Sequence, residues 1–274
     1  MSDALAEELF ILRELALVAG GMLLDSMDSV GAIEHKNATE LVTEVDRRVE
    51  DMIIEGITHT FAGDAIVAEE SGTADGSSGR TWYIDPLDGT TNYAHGYPIF
   101  SVSLACVDAE GLALGAVFAP YLDELYLAHR AGGAVMERPR AGRSDPLVRR
   151  QPVVLTDALL ATGFPYVRDE GVDVNAGRVR DFLKANCHGV RRGGSAAVDL
   201  VHVAAGKLDG YWETSLRPWD SAAGTLIARE AGVLVTVQSG QQDTLHFQNI
   251  LAAAPGLHPV MVEILARSAG GISL

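Results

Sequence analysis

The segment Trp82-Tyr83-Ile84-Asp85-Pro86-Leu87-Asp88-Gly89-Thr90-Thr91 sets two acids at the end of an apolar run. A carboxylate delivered by a buried strand must be paired or bound to a cation to be tolerated there. Pro86 fixes a turn, so Asp88 returns three residues after Asp85 with both carboxylates able to face one site. Hard cations such as Mg²⁺ take oxygen ligands, which the two aspartates and the intervening Leu87 carbonyl offer. Gly89-Thr90-Thr91 follows with backbone N–H groups and hydroxyls where a helical turn can start, a cradle for phosphate. That layout is what metal-assisted phosphoester hydrolysis requires. Taken alone, the same residues read more readily as an Asx-capped turn.

Other acids shift that balance. Glu69 closes the apolar run Ala65-Ile66-Val67-Ala68, where an unpaired acid is costly. Asp220 follows Pro218-Trp219 at the head of a predicted helix, where capping is the competing explanation. Asp46 lies early in another helix, where the helix dipole competes evenly. The overall charge points the same way: 21 Lys and Arg against 37 Asp and Glu give −16. Such a chain repels nucleic-acid backbones and anionic membranes, so an anionic substrate needs a recruited cation.

The 274 residues are 47% apolar and 21% charged, a globular balance with length enough for a sizeable core. Cys106 and Cys187 are too few for a disulfide framework or a thiolate zinc site, so core thiols in a reducing compartment are expected. The acidic start of the chain is unlike a signal peptide, and no apolar run approaches the ~18 residues of a membrane span. A cytoplasmic setting without membrane contact is expected, and the Asn37-Ala38-Thr39 triplet is read as chance.

Periodicity predicts helices over 3–28 and 44–61, the latter with Val45, Val49, Met52, Ile53 and Ile57 inward. Strands are expected at 32–35, 41–43, 65–68 and 82–84, and an antiparallel meander over 99–130. Residues 71–80 read as a flexible surface loop. The second half alternates: strand 159–162, helices 174–186 and 196–206, strand 209–212, a helix after Pro218 and one near the C-terminus. Five arginines within residues 137–150 read as a solvated inter-strand loop more readily than as a cationic patch.

These motifs together resemble the inositol monophosphatase family, within the metal-dependent, lithium-sensitive sugar phosphatases. The resemblance is carried by WYIDPLDGTTNYAHGYP at 82–98 and by Trp219-Asp220-Ser221-Ala222-Ala223-Gly224 with Ala231-Gly232. Gly194-Ser195-Ala196-Ala197, Leu208 through Glu213, Leu41-Val42-Thr43 with Asp46, and Glu69-Glu70-Ser71 extend it over nearly the whole chain. The fold it implies is α/β, a layered α-β-α-β-α sandwich forming a single domain over 1–274 with two lobes, about 1–150 and 151–274.

The resemblance implies metal ligands at Glu69, Asp85, the Leu87 carbonyl, Asp88 and Asp220, with Glu70 the adjacent alternative to Glu69. It implies phosphate contacts at Gly89 and Thr90, and hydroxyl-reading positions at Asp88, Gly194, Ser195, Ala196, Glu213 and Asp220. Glu69, Thr90 and Asp46 would activate and orient the attacking water, Thr90 being hydrogen-bonded to Asp46. Lys36 resembles a basic position near the cleft, although a solvated lysine reads nearly as well. Two Mg²⁺ are implied. Four carboxylates against two dications leave the site neutral, so a third, weaker Mg²⁺ is expected to arrive with substrate near Glu69.

The expected reaction is hydrolysis of myo-inositol monophosphate by a homodimer. Related esters (histidinol phosphate, fructose 1,6-bisphosphate, NADP, 3′-phosphoadenosine phosphate) are alternatives, and a regulatory protein- or RNA-binding role through the arginines is the least favoured. The chain departs from the pattern in two places. Glu137-Arg138-Pro139-Arg140 stands where many relatives have Asn-Gly, which puts oligomer contacts and substrate entry in question, and Glu40 stands where aspartate is common.

Overall fold

A computed structural model describes residues 2–27, 33–35, 41–147, 149, 154–165, 169–242 and 248–269. Apolar residues at three- and four-residue steps fold the start of the chain as helix α1 (Ser2–Ser26), which buries Leu12, Ala16, Ala19 and Leu23. Helix α2 (Glu44–Thr60) buries Val45, Val49, Ile53 and Ile57, with Met52 packed at the edge of the same cluster. Between them β1 (Ile33–His35) and β2 (Leu41–Thr43) form a two-stranded antiparallel ribbon. Lys36, the 37–39 triplet and Glu40 lie outside the described residues.

The first large sheet contains β3 (Ala65–Ala68), β4 (Gly72–Ala74), β5 (Thr81–Asp88), β6 (Ser101–Asp108), β7 (Gly111–Ala119), β8 (Glu124–His129), β9 (Ala134–Arg138) and β10 (Arg143–Pro146). Their order is β10-β9-β8-β7-β6-β5-β3-β4, antiparallel except for the parallel pair β3/β5. A short helix, α3 (Thr90–Ala94), follows β5. The second sheet contains β11 (Leu159–Thr162), β12 (Gly189–Arg191), β13 (Gly210–Glu213), β14 (Leu234–Val237) and β15 (Ile250–Ala253). It runs β12-β11-β13-β15-β14, with β11 parallel to both neighbours. The remaining helices are α4 (Glu170–Lys184), α5 (Ala196–Ala204), α6 (Pro218–Glu230) and α7 (His258–Ala269).

Period-two alternation explains the layering. Trp82, Ile84, Val102, Leu104 and Cys106 face α1 and α2. Ala105, Val117 and Tyr126, on the opposite face, pack against α5 and α6. Those helices also cover Ala161, Tyr211 and Ala252 of the second sheet. Leu160, Trp212 and Leu251 on its far side meet Phe182 of α4 and Met261 of α7. The result is the α-β-α-β-α sandwich. Each fully buried side chain of this size stabilises the fold by about 2 kcal/mol. No helix among the described residues is long and apolar enough to cross a membrane. Cys106 and Cys187 are free, buried thiols.

Two segments differ from their sequence reading. Residues 72–74, expected in a loop, form β4 on the sheet edge; all three are exposed, so no alternation marks them. The arginine-rich stretch is a hairpin of β9 and β10 around a 3₁₀ turn at Pro139–Ala141. Three of its arginines have local partners: Arg138 pairs with Glu124 at 3.0 Å, Arg140 with Asp123 at 3.2 Å and Arg143 with Asp145 at 2.6 Å, whereas the buried Nε and Nη1 of Arg149 have no hydrogen-bond partner among the described residues. Arg150 lies outside the described residues.

Candidate active site

The parallel pair β3/β5 brings the first two acids together, because Ala68 pairs with Ile84 and the Glu69 amide donates to the Ile84 carbonyl at 3.1 Å. Strand β5 runs straight through the predicted turn, and its pairing with β6 slips between Asp85 and Asp88. This irregularity delivers both aspartates and the Leu87 carbonyl to one strand end. Asp220 arrives from the first turn of α6, where its Oδ2 accepts from the Arg217 amide at 2.6 Å. Capping and site membership therefore coexist in this residue. Glu69, Asp85, Leu87, Asp88, Gly89, Thr90, Gly194, Ser195, Ala196, Glu213 and Asp220 line one cavity of about 940 Å³, and Glu70 does not line it.

The carboxylates are held against one another. Burial, then the charges of Glu69, Asp88 and Asp220, push Asp85 well above the usual carboxylate range. Burial and then Asp88 do the same to Asp220. Burial pushes Asp88 up to about 6, although Ser195 Oγ (2.6 Å), the Ala197 amide (2.8 Å) and the Ala196 amide all donate to it. Mutual repulsion of this kind is relieved by a cation among the acids. Among the described residues no three His, Cys, Asp or Glu side chains close on a single ion-sized point. This open all-oxygen set fits Mg²⁺, which is usually held by one or two carboxylates together with water and substrate phosphate oxygens.

Gly89 has φ +95°, and a Cβ there would stand 3.0 Å from the Ile99 carbonyl and 3.2 Å from that of Gly194, so only glycine fits this close approach. The Thr90 hydroxyl lies 3.0 Å from the Leu87 carbonyl and 3.4 Å from Asp46 Oδ1, so its contact with Asp46 is the longer of the two. Asp46 itself is buried at the start of α2. Ser195 caps α5, accepting from the Val198 amide, and its hydroxyl donates to Asp88.

Glu213, at the end of β13, is pushed up to about 7 by burial, with Asp88 adding to the rise. Tyr211 donates to its carboxylate. Asn175 anchors the wall behind it, donating to the Gly163 carbonyl at 2.6 Å and accepting from Trp212 Nε1 at 2.7 Å. A Cβ at Gly163 would stand 2.0 Å from the Glu213 carboxylate. Gly163→Ala is therefore expected to displace Glu213 and raise the KM for the ester on the order of tenfold or more, with an unchanged circular dichroism spectrum. An unchanged KM would show that Glu213 does not contact substrate.

Two further contributors are not among the expected site residues, although Asn92 lies within the 82–98 motif. Glu50, buried in α2, accepts from the Glu70 amide at 2.9 Å and the Ser71 amide at 2.7 Å, fixing the turn that presents Glu69. Asn92 donates to the Ile99 carbonyl at 2.6 Å and the Gly193 carbonyl at 2.9 Å, joining the two halves of the cavity. The Asn92–Gly193 contact spans 101 positions, and the Glu50 contacts 20 and 21.

The sequence pattern of the inositol monophosphatase family matches residues 4–269. The chain belongs to the inositol monophosphatase family. An inositol-1-monophosphatase of Synechocystis sp. is 39% identical over 94% of this chain and 88% of that protein. A Nus factor SuhB of Vibrio cholerae is 37% identical over 90% of this chain and 91% of its own length. The solved inositol monophosphatase from Anabaena superposes with a TM-score of 0.85 at 35% identity, covering 96% of this chain and 97% of that one. Members of this family are metal-dependent phosphatases of small phosphorylated substrates.

Proposed function

We propose that this family member is a Mg²⁺-dependent phosphomonoesterase that converts myo-inositol monophosphate to inositol and phosphate. The observation that carries the reading is the convergence of Glu69, Asp85, Asp88 and Asp220, from three separate segments, on one cavity beside Gly89 and Thr90. Bound there through these carboxylates and the Leu87 carbonyl, Mg²⁺ would supply Lewis-acid stabilisation and a nucleophile at neutral pH. Thr90, between the Leu87 carbonyl and Asp46, orients the attacking water and passes its proton toward the Asp46 carboxylate. The Gly89 and Thr90 amides receive the phosphate. Glu213 accepts hydrogen bonds from hydroxyls of the departing alcohol. Gly194, Ser195 and Ala196 shape the same wall, Ser195 and Ala196 acting through Asp88.

The charge count of four carboxylates against two dications supports a third, weaker Mg²⁺ that accompanies the phosphate. We further infer inhibition by lithium, a cytoplasmic homodimer, and a single domain of two lobes. Acidic partners beside Arg138, Arg140 and Arg143 offset the positive charge of that hairpin, which favours the phosphatase reading over an RNA-binding one.

Phosphate release from a panel of esters, with Mg²⁺ and with chelator, tests the proposal. Inositol 1-phosphate is expected to give the highest kcat/KM, and chelation to abolish turnover. Faster hydrolysis of histidinol phosphate, or turnover that survives chelation, would reverse the substrate or the metal assignment respectively.

A further inference from the structure

Accepting and donating groups are unevenly spread around the alcohol half of the cavity. Glu213 is an acceptor, but a ring hydroxyl both donates and accepts, and a vicinal diol needs donors as well. Several donors are already engaged: Ser195 Oγ and the Ala196 and Ala197 amides serve Asp88, and the Tyr211 hydroxyl serves Glu213 itself. Among the described lining residues the cationic side chains are Arg192 and Arg217. Arg217 belongs to the metal end, where its amide holds Asp220.

Arg192 belongs to the alcohol end. Its Nη1 lies 2.4 Å from where a Cβ on Gly194 would stand, so the guanidinium rests directly on the bare Gly194 backbone. Gly194 has φ +89°, and with glycine there the arginine fits beside Asn92. The same guanidinium is electrostatically favourable to two buried carboxylates, Glu213 and Asp199. Asp199 lies beneath the loop, its Oδ1 2.7 Å from a Cβ built on Gly193.

We propose that Arg192 reads the alcohol half of the substrate: a ring hydroxyl that donates to Glu213 accepts from the Arg192 guanidinium, so a neutral vicinal diol is held between the two. The planar fork of arginine offers two parallel N–H groups to adjacent hydroxyls, which lysine cannot. The inference rests on the polyol-phosphate reading above.

Steady-state phosphate release with saturating Mg²⁺ tests it, using wild type, Arg192→Ala, Arg192→Lys and Arg191→Ala. The esters are inositol 1-phosphate and 4-nitrophenyl phosphate, which lacks a diol, and inhibition by free myo-inositol is measured in parallel. A lost hydrogen bond to a charged group corresponds to roughly tenfold or more in affinity. Arg192→Ala is therefore expected to raise KM for the inositol ester and the inhibition constant of inositol by about that factor, with kcat within about threefold. Its KM for the aryl ester stays at the wild-type value, Arg192→Lys recovers part of the loss, and Arg191→Ala matches wild type on both esters. An equal rise in KM for both esters, or no rise for either, overturns the assignment of Arg192 while leaving the phosphatase reading in place. A wild-type chain that cleaves the aryl ester but not inositol 1-phosphate overturns the polyol reading and Arg192 with it.

Discussion

Asp85→Asn is expected to lower kcat/KM for inositol 1-phosphate by on the order of a thousandfold, while raising the melting temperature of the metal-free protein. The two effects share one cause. Asp85 is 1% exposed and faces Glu69, Asp88 and Asp220, so its charge is costly to the empty fold and useful only when a divalent cation is present. A cation of this kind supplies several kcal/mol of stabilisation to the charge that develops on phosphate and alkoxide. About 4 kcal/mol of that corresponds to a thousandfold in rate. Asparagine keeps the shape and the hydrogen bond from the Leu87 amide, seen here at 2.9 Å to Asp85 Oδ1, so loss of fold does not explain the loss of rate. Phosphate release and thermal melts in chelator measure the two effects side by side. Activity at the parent level would remove Asp85 from the chemistry.

The second large effect is on stability. Asp88 is pushed up to about 6 and Glu213 to about 7, and Asp85, Asp220 and Asp199 lie well above the aspartate range, burial being the first cause in each. In the unfolded chain the same groups titrate near their ordinary values of roughly 4. Raised folded values mean that the folded state binds protons more tightly. The stability they contribute is therefore complete below about pH 4 and is lost as pH rises through their folded values. Each group protonated only in the folded state costs about 1.4 kcal/mol per pH unit. Buried His202 and His258, held below their ordinary value by burial, act in the opposite direction below about pH 6.5. The clean window is therefore pH 6.5 to 8. Across it one group that stays protonated costs about 2 kcal/mol, so the melting temperature in chelator is expected to fall by at least roughly 5 °C, at about 2–4 °C per kcal/mol for a chain of this size. Excess Mg²⁺ at pH 8 is expected to restore it, because ions that bind only the folded state stabilise it. A melting temperature that is flat or rising over this window, unmoved by Mg²⁺, would contradict the account.

Residues whose role is local were legible in the sequence. Glu69, Asp85 and Asp88 stand at the ends of apolar runs, and their cost announces a site before any fold is known. The periodic helices followed from apolar spacing, and the five-layer architecture from the family resemblance. What the sequence hides is partnership across the chain. Ser195 reads as a hydroxyl contact by its motif, yet its hydroxyl donates to Asp88, 107 positions earlier. Glu50 is one more acid on an amphipathic helix until β3 brings the Glu70 and Ser71 amides to it. Gly163 owes its meaning to Glu213, which the pairing of β11 with β13 brings near, and Arg192 to the local turn that lays it on Gly194. Short strands such as β12 and β14, of three and four residues, are too brief for alternation to show.

The central claim is that acids from β3, β5 and α6 hold divalent cations beside a phosphate cradle. Anomalous diffraction from crystals grown with Mn²⁺ and inorganic phosphate tests it most directly. The account predicts at least two peaks about 2.0–2.4 Å from oxygens of Glu69, Asp85, Leu87, Asp88 and Asp220, with phosphate against Gly89 and Thr90. Peaks elsewhere on the chain, or none in this cavity, would contradict it.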